Sequence, residues 1–250
     1  MPGIDGFTTS LLHLDWVDGG PYAYDEIGGR AWACWNGLSG TGRWGNSANF
    51  MRYGGTLWMA TFDASVVTFS SAWCIDLWVY QGNLNSRLWV IDTFGSYSMF
   101  LQYGAGGGWT WGIDYGTQYG FSGALSAGWN HVAACCDGTY WRLFLNGIQL
   151  SSTQTALAQP RTPQAFAYGT LGSTLSNGVD AYVDECRISA GTPRWTSNFN
   201  PPTAPYNNVF DGNPVSVTPY IMAIKKYRQL YNKLIQQGAV SLGRRELLPI

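Results

Sequence analysis

Carboxylates and aromatic rings are the side chains with which this sequence could do chemistry. Cleaving a glycosidic bond takes two carboxyls on one face, ~5–5.5 Å apart for retention of configuration and ~6.5–9.5 Å apart for inversion. The glutamates are only Glu26, Glu185 and Glu246. Asp184 and Glu185 are adjacent, and on a strand adjacent side chains point to opposite faces, so they are not expected to form such a pair. His13 and His131 are the only histidines, and neither accompanies a recognisable Ser or Cys nucleophile motif. Gly104-Ala105-Gly106-Gly107-Gly108 lacks the strand-to-helix setting of a phosphate cradle. The chain is therefore expected not to be an enzyme. The rings point elsewhere. Residues 104–123 carry Trp109, Trp111, Tyr115, Tyr119 and Phe121, and Trp109, Trp111, Ile113 and Tyr115 share one parity, as Trp78 and Tyr80 do on another strand. Flat aromatic faces on a sheet are what saccharide rings stack on, and such pockets need few charges. Thirteen tryptophans exceed the ordinary needs of a core this size. Trp78, Tyr80, Trp109, Trp111 and Tyr115 are accordingly the expected glycan-binding residues.

The elements that must position these groups read as strands. Trp73, Ile75, Leu77 and Val79 alternate with Cys74, Asp76, Trp78 and Tyr80, and Trp141, Leu143 and Leu145 alternate with Tyr140, Arg142, Phe144 and Asn146. A period of two, repeated between Gly, Asn, Asp and Ser breaks, predicts half-buried strands in an antiparallel sandwich. Asn146-Gly147 supplies a hairpin turn. Asp76, Arg142, Glu185 and Arg187 fall opposite the apolar parity, as a cross-strand charge ladder would, each pair contributing ~0.2–1 kcal/mol. Asp184 shares parity with Tyr182, Cys186 and Ile188 and is expected to look inward, where a charge needs a partner.

Beyond Pro201, Pro202, Pro205 and Pro214 the texture changes. Thr218-Pro219 makes a helix start and Gly238 a stop. Between them Tyr220, Ile224, Tyr227, Tyr231 and Leu234 recur at spacings of four and three, a heptad-like seam on a helix roughly 28 Å long. Lys225, Lys226, Arg228 and Lys233 flank it, which suits a surface for assembly. The predicted division is a sandwich over 1–206, a linker over 207–218 and a basic amphipathic helix and tail over 219–250.

Composition bounds the rest. With 14 basic and 15 acidic residues among 250 the formal charge is −1, which gives no electrostatic ground for nucleic-acid binding. Residues before 219 hold eight arginines against fourteen acids, while every lysine lies after 219. Only 12% of residues are charged and 16% are aromatic, a composition that packs rather than stays disordered. No apolar run nears the ~18 residues of a membrane span, and Met1 to Asp15 does not read as a secretion signal, so a soluble chain folded in a cytoplasm is expected. Cys34, Cys74, Cys135, Cys136 and Cys186 form neither regular disulfide spacing nor a CxxC pair, and are expected as free, buried thiols.

Four stretches together resemble a known family. Leu11-Leu12-His13-Leu14-Asp15 is similar to the opening strand of concanavalin A-like, laminin-G-type jelly-roll domains, and Trp73 through Tyr80 to their central strand. Trp129-Asn130-His131-Val132-Ala133, Asp137-Gly138 and Arg142 through Gly147 resemble their W-H-H-V-A … D-G … R-L-F-V-D-G hairpin. Tyr182 through Ser189, then Arg194-Trp195-Thr196 and Phe199 to Pro202, resemble the closing strand and exit. The likeness covers residues 10 to 206. It implies an all-β, antiparallel jelly-roll sandwich, to which 219–250 add an α-helical appendage. This fold hosts lectins, adhesion modules and glucanases alike. Its glucanases carry a Glu-x-Asp-x-Glu strand that this chain lacks. In the family the first and last strands are neighbours, which would bring Asp15 to Asp184 as ligands for Ca²⁺, a hard cation that takes oxygen donors. The closing motif resembles versions common in bacteriophage structural proteins. It implies a virion surface or decoration protein that meets host-surface glycans with its sandwich and joins other virion proteins, or copies of itself, through its helix. Alternatives are a decoration protein without ligand and a glycan-hydrolysing tail component.

Overall fold

β-Branched and aromatic runs broken by Gly, Asn and Asp form strands here as that pattern requires. The computed structural model of the chain describes residues 4–14, 22–35, 38–49, 58–61, 72–80, 86–92, 97–103, 108–113, 117–150, 154–155, 165–169 and 182–207. All of their regular structure is β. In the first sheet the order is β14 (Ile148–Gln149), β13 (Tyr140–Leu145), β12 (Trp129–Cys136), β7 (Trp73–Tyr80), β17 (Tyr182–Ala190), β5 (Asn46–Asn49) and β4 (Leu38–Thr41). β1 (Thr8–Leu12) also pairs with β17, and β15 (Gln154–Thr155) with β13. In the second sheet the order is β11 (Thr117–Ser122), β10 (Gly108–Ile113), β9 (Tyr97–Tyr103), β8 (Ser86–Asp92), β16 (Ala165–Gly169), β6 (Trp58–Thr61), β3 (Ala31–Trp35) and β2 (Tyr22–Tyr24). Every pairing is antiparallel, and the two sheets make the expected jelly-roll sandwich. The helix expected over 219–250, and with it Tyr220, Ile224, Lys225, Lys226, Tyr227, Arg228, Tyr231, Lys233 and Leu234, lies outside the described residues.

β7 is at the centre of the first sheet and is buried along both faces up to Val79, rather than half-buried as its alternation predicts. Trp73, Ile75, Leu77 and Val79 turn toward the interior of the sandwich. The other face carries Cys74, Asp76 and Trp78, and a third layer of irregular chain covers it. Trp195 and Phe199 of the exit segment pack on Cys74, Ala133, Cys135 and Phe144, their own rings stacked 3.9 Å apart. Tyr206 packs with Ile4 and Leu11. The exit segment is fastened at the β13–β14 turn. Asn146 and Gly147 have φ of +50° and +79°, the left-handed pair of a two-residue hairpin. Gly147 accepts the Phe199 N–H at 2.9 Å, and a Cβ on Gly147 would fall 1.9 Å from the Phe199 carbonyl oxygen. Only glycine fits there.

Three expectations change. Cys74 and Cys135 are joined by a disulfide, because the β7–β12 register sets them directly opposite on the covered face. Cys136 and Cys186 remain buried thiols, as expected. The parity expected along β17 also fails. Glu185 has φ +50°, and the pairing with β7 slips between Asp184 and Arg187. The extra residue of this bulge puts Asp184 and Arg187 on one face, although their numbers differ by an odd count. Asp184 therefore looks toward the third layer, and Arg187 lies opposite Asp76 beneath it. No exposed charge ladder forms: Asp76, Glu185 and Arg187 are all buried, and Arg142 pairs with Asp137 at 2.7 Å.

Candidate functional site

The covered face of β12, β7 and β17 is a grid set by register. Trp129, Tyr80 and Tyr182 form its first row, and His131, Trp78 and Asp184 its second. Ala133, Asp76 and Arg187 form the third.

The third row holds the charges. Arg187 donates from Nε to Asp76 Oδ1 at 3.0 Å and from an η nitrogen to Oδ2 at 3.2 Å. The Tyr206 hydroxyl donates to Asp76 and accepts from Arg187 at 3.3 Å, while its ring lies 4.0 Å from the guanidinium carbon. His131 Nε2 is 3.3 Å from Asp76 Oδ2. Burial raises the Asp76 carboxyl, but the Arg187 guanidinium and His131 outweigh it and hold the group well below the usual carboxylate range. Burial pulls the His131 imidazole down against the pull of Asp76. Beside them Glu185 accepts the Tyr206 N–H at 2.8 Å and meets His13 Nδ1 at 2.7 Å. All of these groups except His13, which is partly exposed, are sealed from solvent. The network fastens the exit segment, with Tyr206 bonded to both Asp76 and Glu185.

Asp184 is different. Its Oδ2 accepts the N–H of Arg43 at 2.7 Å and of Trp44 at 3.1 Å, and Oδ1 accepts the Glu185 N–H at 2.9 Å. Burial, with the Glu185 carboxylate nearby, pushes the group up to about 7 despite those bonds. A carboxylate ringed by N–H donors does not fit a cation site, where its oxygens would face the metal. The other expected ligand, Asp15, lies outside the described residues. The Arg43 and Trp44 donors instead make Asp184 the clasp of the turn between β4 and β5. That turn lays Arg43 over Trp78, its guanidinium carbon 4.6 Å from the ring centroid, and sets Trp44 edge-on to Trp78 at 5.5 Å.

The first row is the exposed one. Tyr80 is 41% exposed, with Trp129 and Tyr182 half-buried on either side. Its ring centroid lies 5.5 Å from that of Trp129 and 6.2 Å from that of Tyr182. Both neighbours are steeply inclined to it, at 73° and 86°, so the row is ribbed and a sugar ring would lie against one face at a time. Trp129 is held by the corner before β12, where Asn130 accepts the Ser126 N–H at 3.1 Å and donates to the carbonyls of Ser126 and Gly128.

Of the five ring residues expected to bind glycan, the side chains of Trp78, Tyr80 and Trp109 are described, and these three do not converge. Trp78 and Tyr80 share the covered face of β7, but Trp78 is only 4% exposed. Trp109 is in the second sheet, 1% exposed, with its indole N–H donated to the Gly123 carbonyl at 2.8 Å. A ring covered on both faces offers none to a sugar, so Trp109 is core. Trp111 is on β10, its side chain outside the described residues, as is all of Tyr115. Trp129 and Tyr182 were not among the expected residues. The signal that could have found them is the hairpin and closing-strand alignment that sets both opposite Tyr80.

Comparison with known proteins agrees with this fold. No curated protein matches the chain. Among solved structures, domain 4 of the extracellular arabinanase AbnA from Geobacillus stearothermophilus, in complex with arabinotriose, is similar at 17% identity and a TM-score of 0.60, over 75% of this chain and 95% of that one. A Trypanosoma rangeli sialidase mutant displaying trans-sialidase activity is similar at 14% identity and a TM-score of 0.57, over 77% of this chain but 31% of that one. The binding domain of Paraclostridial Mosquitocidal Protein 1 is similar at 12% identity and 0.54, over 78% and 50% of the two chains. At these identities the likeness is one of fold. The family profile of the concanavalin A-like lectin/glucanases superfamily matches residues 54–194. That is more than half of the sequence, and the chain belongs to this superfamily.

Proposed function

We propose that the chain is a non-catalytic carbohydrate-binding module, and that saccharide lies on the row Trp129–Tyr80–Tyr182. The observation that carries this reading is three rings in register on adjacent strands, with Tyr80 at the centre and open to solvent. The arabinanase domain with the same fold, complexed with arabinotriose, supports it. The acids of the covered sheet argue against hydrolysis there: Asp76, Asp184 and Glu185 are buried and engaged in the bonds described above. The reading extends to a virion. There the module meets host-surface glycans, many copies turn weak contacts into avidity of ~10²–10⁴, and residues 219–250 fasten it to virion proteins or to copies of itself. The resemblance of the closing motif and the confinement of every lysine to that last segment support this step.

A glycan array followed by calorimetry on the best ligand tests the binding site. Tyr80→Ala and Trp129→Ala are each expected to weaken binding about 5- to 10-fold, the worth of one stacked ring. Both variants should still unfold cooperatively in urea, which shows that the sandwich is intact. An array without hits, or variants that bind like the parent protein, would leave a decoration protein without ligand as the better reading.

A further inference from the structure

Arg43 is held in an unusual setting for an exposed cation. Its backbone N–H, with that of Trp44, is clasped by the buried Asp184 carboxylate, and the Gly42 N–H closes the turn on the Gly45 carbonyl at 3.1 Å. Its guanidinium carbon lies 4.6 Å from the Trp78 ring centroid and 5.2 Å from that of Trp44. No carboxylate among the described residues forms an ion pair with it. A guanidinium stacked on indoles is immobilised while its in-plane N–H donors stay free, and that fork matches a carboxylate bidentately. Trp78 precedes Tyr80 by two residues on the same face, ~7 Å along the strand. The cation therefore sits about one sugar ring from the exposed row.

We infer that the site takes an acidic saccharide, in which one hexose stacks on Tyr80 between Trp129 and Tyr182 while the carboxylate of a neighbouring uronic acid meets the Arg43 guanidinium. The inference rests on the carbohydrate-binding reading and adds the ligand's charge. Long-range attraction cannot supply the preference, because residues before 219 hold fourteen acids against eight arginines. It must come from direct contact, and neutralising one residue should abolish it.

The test is calorimetric titration of the full chain with trigalacturonate and with its neutral counterpart galactotriose. The acidic trisaccharide is expected to bind roughly tenfold more tightly, as a charge-assisted bidentate contact allows. Arg43→Gln should erase that ratio by weakening trigalacturonate to the level of galactotriose, Arg43→Lys should restore only part of it, and Tyr80→Ala should weaken both sugars. Equal binding of the two sugars by the parent protein, or an undiminished preference in Arg43→Gln, overturns the inference while the saccharide reading stands. Binding of neither trisaccharide also overturns it, and the glycan array then decides separately whether the saccharide reading falls too.

Discussion

Asp76 and Asp184 are both fully buried on the covered face, and they titrate in opposite directions because one has a cation and the other does not. The consequences for stability separate by pH. Asp184 sits at about 7 against an ordinary 3.8. Between pH 4 and 7 the folded chain therefore holds a proton that the unfolded chain gives up. Its contribution falls as pH rises through that window and is flat above it. His131 pulls the other way: the unfolded chain takes up a proton below about pH 6.5 that the buried imidazole refuses, so its contribution rises with pH. Asp76 and Asp5, the latter held at about 2, act only below pH 4, where their stabilisation is lost as acid protonates them. Asp184→Asn removes one of these opposing slopes. Urea denaturation should show the variant gaining on the parent as pH rises from 4 to 7, by on the order of 3 kcal/mol, with no further change from 7 to 8. Parallel pH profiles would mean that Asp184 ionises normally when folded.

At the scale of the element, β7, β12, β13 and β17 were legible as strands, and the Asn146-Gly147 turn was legible from its residue types alone. What each face of those strands met was not. Alternation marks one side as polar, but it does not say whether that side meets water or a third layer of chain. The Trp195–Phe199–Tyr206 segment turns the Asp76 face into a second core. The bulge at Glu185 left no trace in the hydrophobic pattern, so parity carried across it inverted the expected direction of Asp184. Cys74 and Cys135 are separated by 61 residues, and only the strand register reveals that they are opposite one another. A cross-link closing so long a loop is worth about 4 kcal/mol through the chain entropy it removes from the unfolded state. Cys74→Ala with Cys135→Ala is expected to lower the unfolding free energy by up to that amount. Because both cysteines are fully buried under Trp195 and Phe199, reductant should open the bond slowly in native buffer and quickly in denaturant. Mass spectrometry after thiol labelling distinguishes these outcomes, and equal rates in both conditions would show that the covering layer opens freely.

For the molecule as a whole, the exit segment is part of the fold, while the residues after it are assigned a different task. Arg194 donates two bonds to Asp5, at 2.8 and 2.9 Å, and Phe199 docks on Gly147. Tyr206 completes the bonding of Asp76 and Glu185. Two truncations separate the tasks. A chain ending at Asn207 retains all of these partners and should unfold cooperatively, with the near-ultraviolet spectrum of the sandwich intact. A chain ending at Ala190 loses Trp195, Phe199 and Tyr206 together. It exposes the apolar cluster around the disulfide and leaves Asp76 and Glu185 short of donors. Removing those three rings alone forfeits about 5 kcal/mol or more of burial, comparable with the whole net stability of an ordinary domain, so this chain should not fold. If the carboxy-terminal segment is the fastener, the chain ending at Asn207 should also sediment as a monomer under conditions in which the full chain associates. Association that survives that truncation would move the assembly surface onto the sandwich itself. A 190-residue chain as stable as the longer one would mean that the third layer merely rests on a sheet already closed by its own two faces.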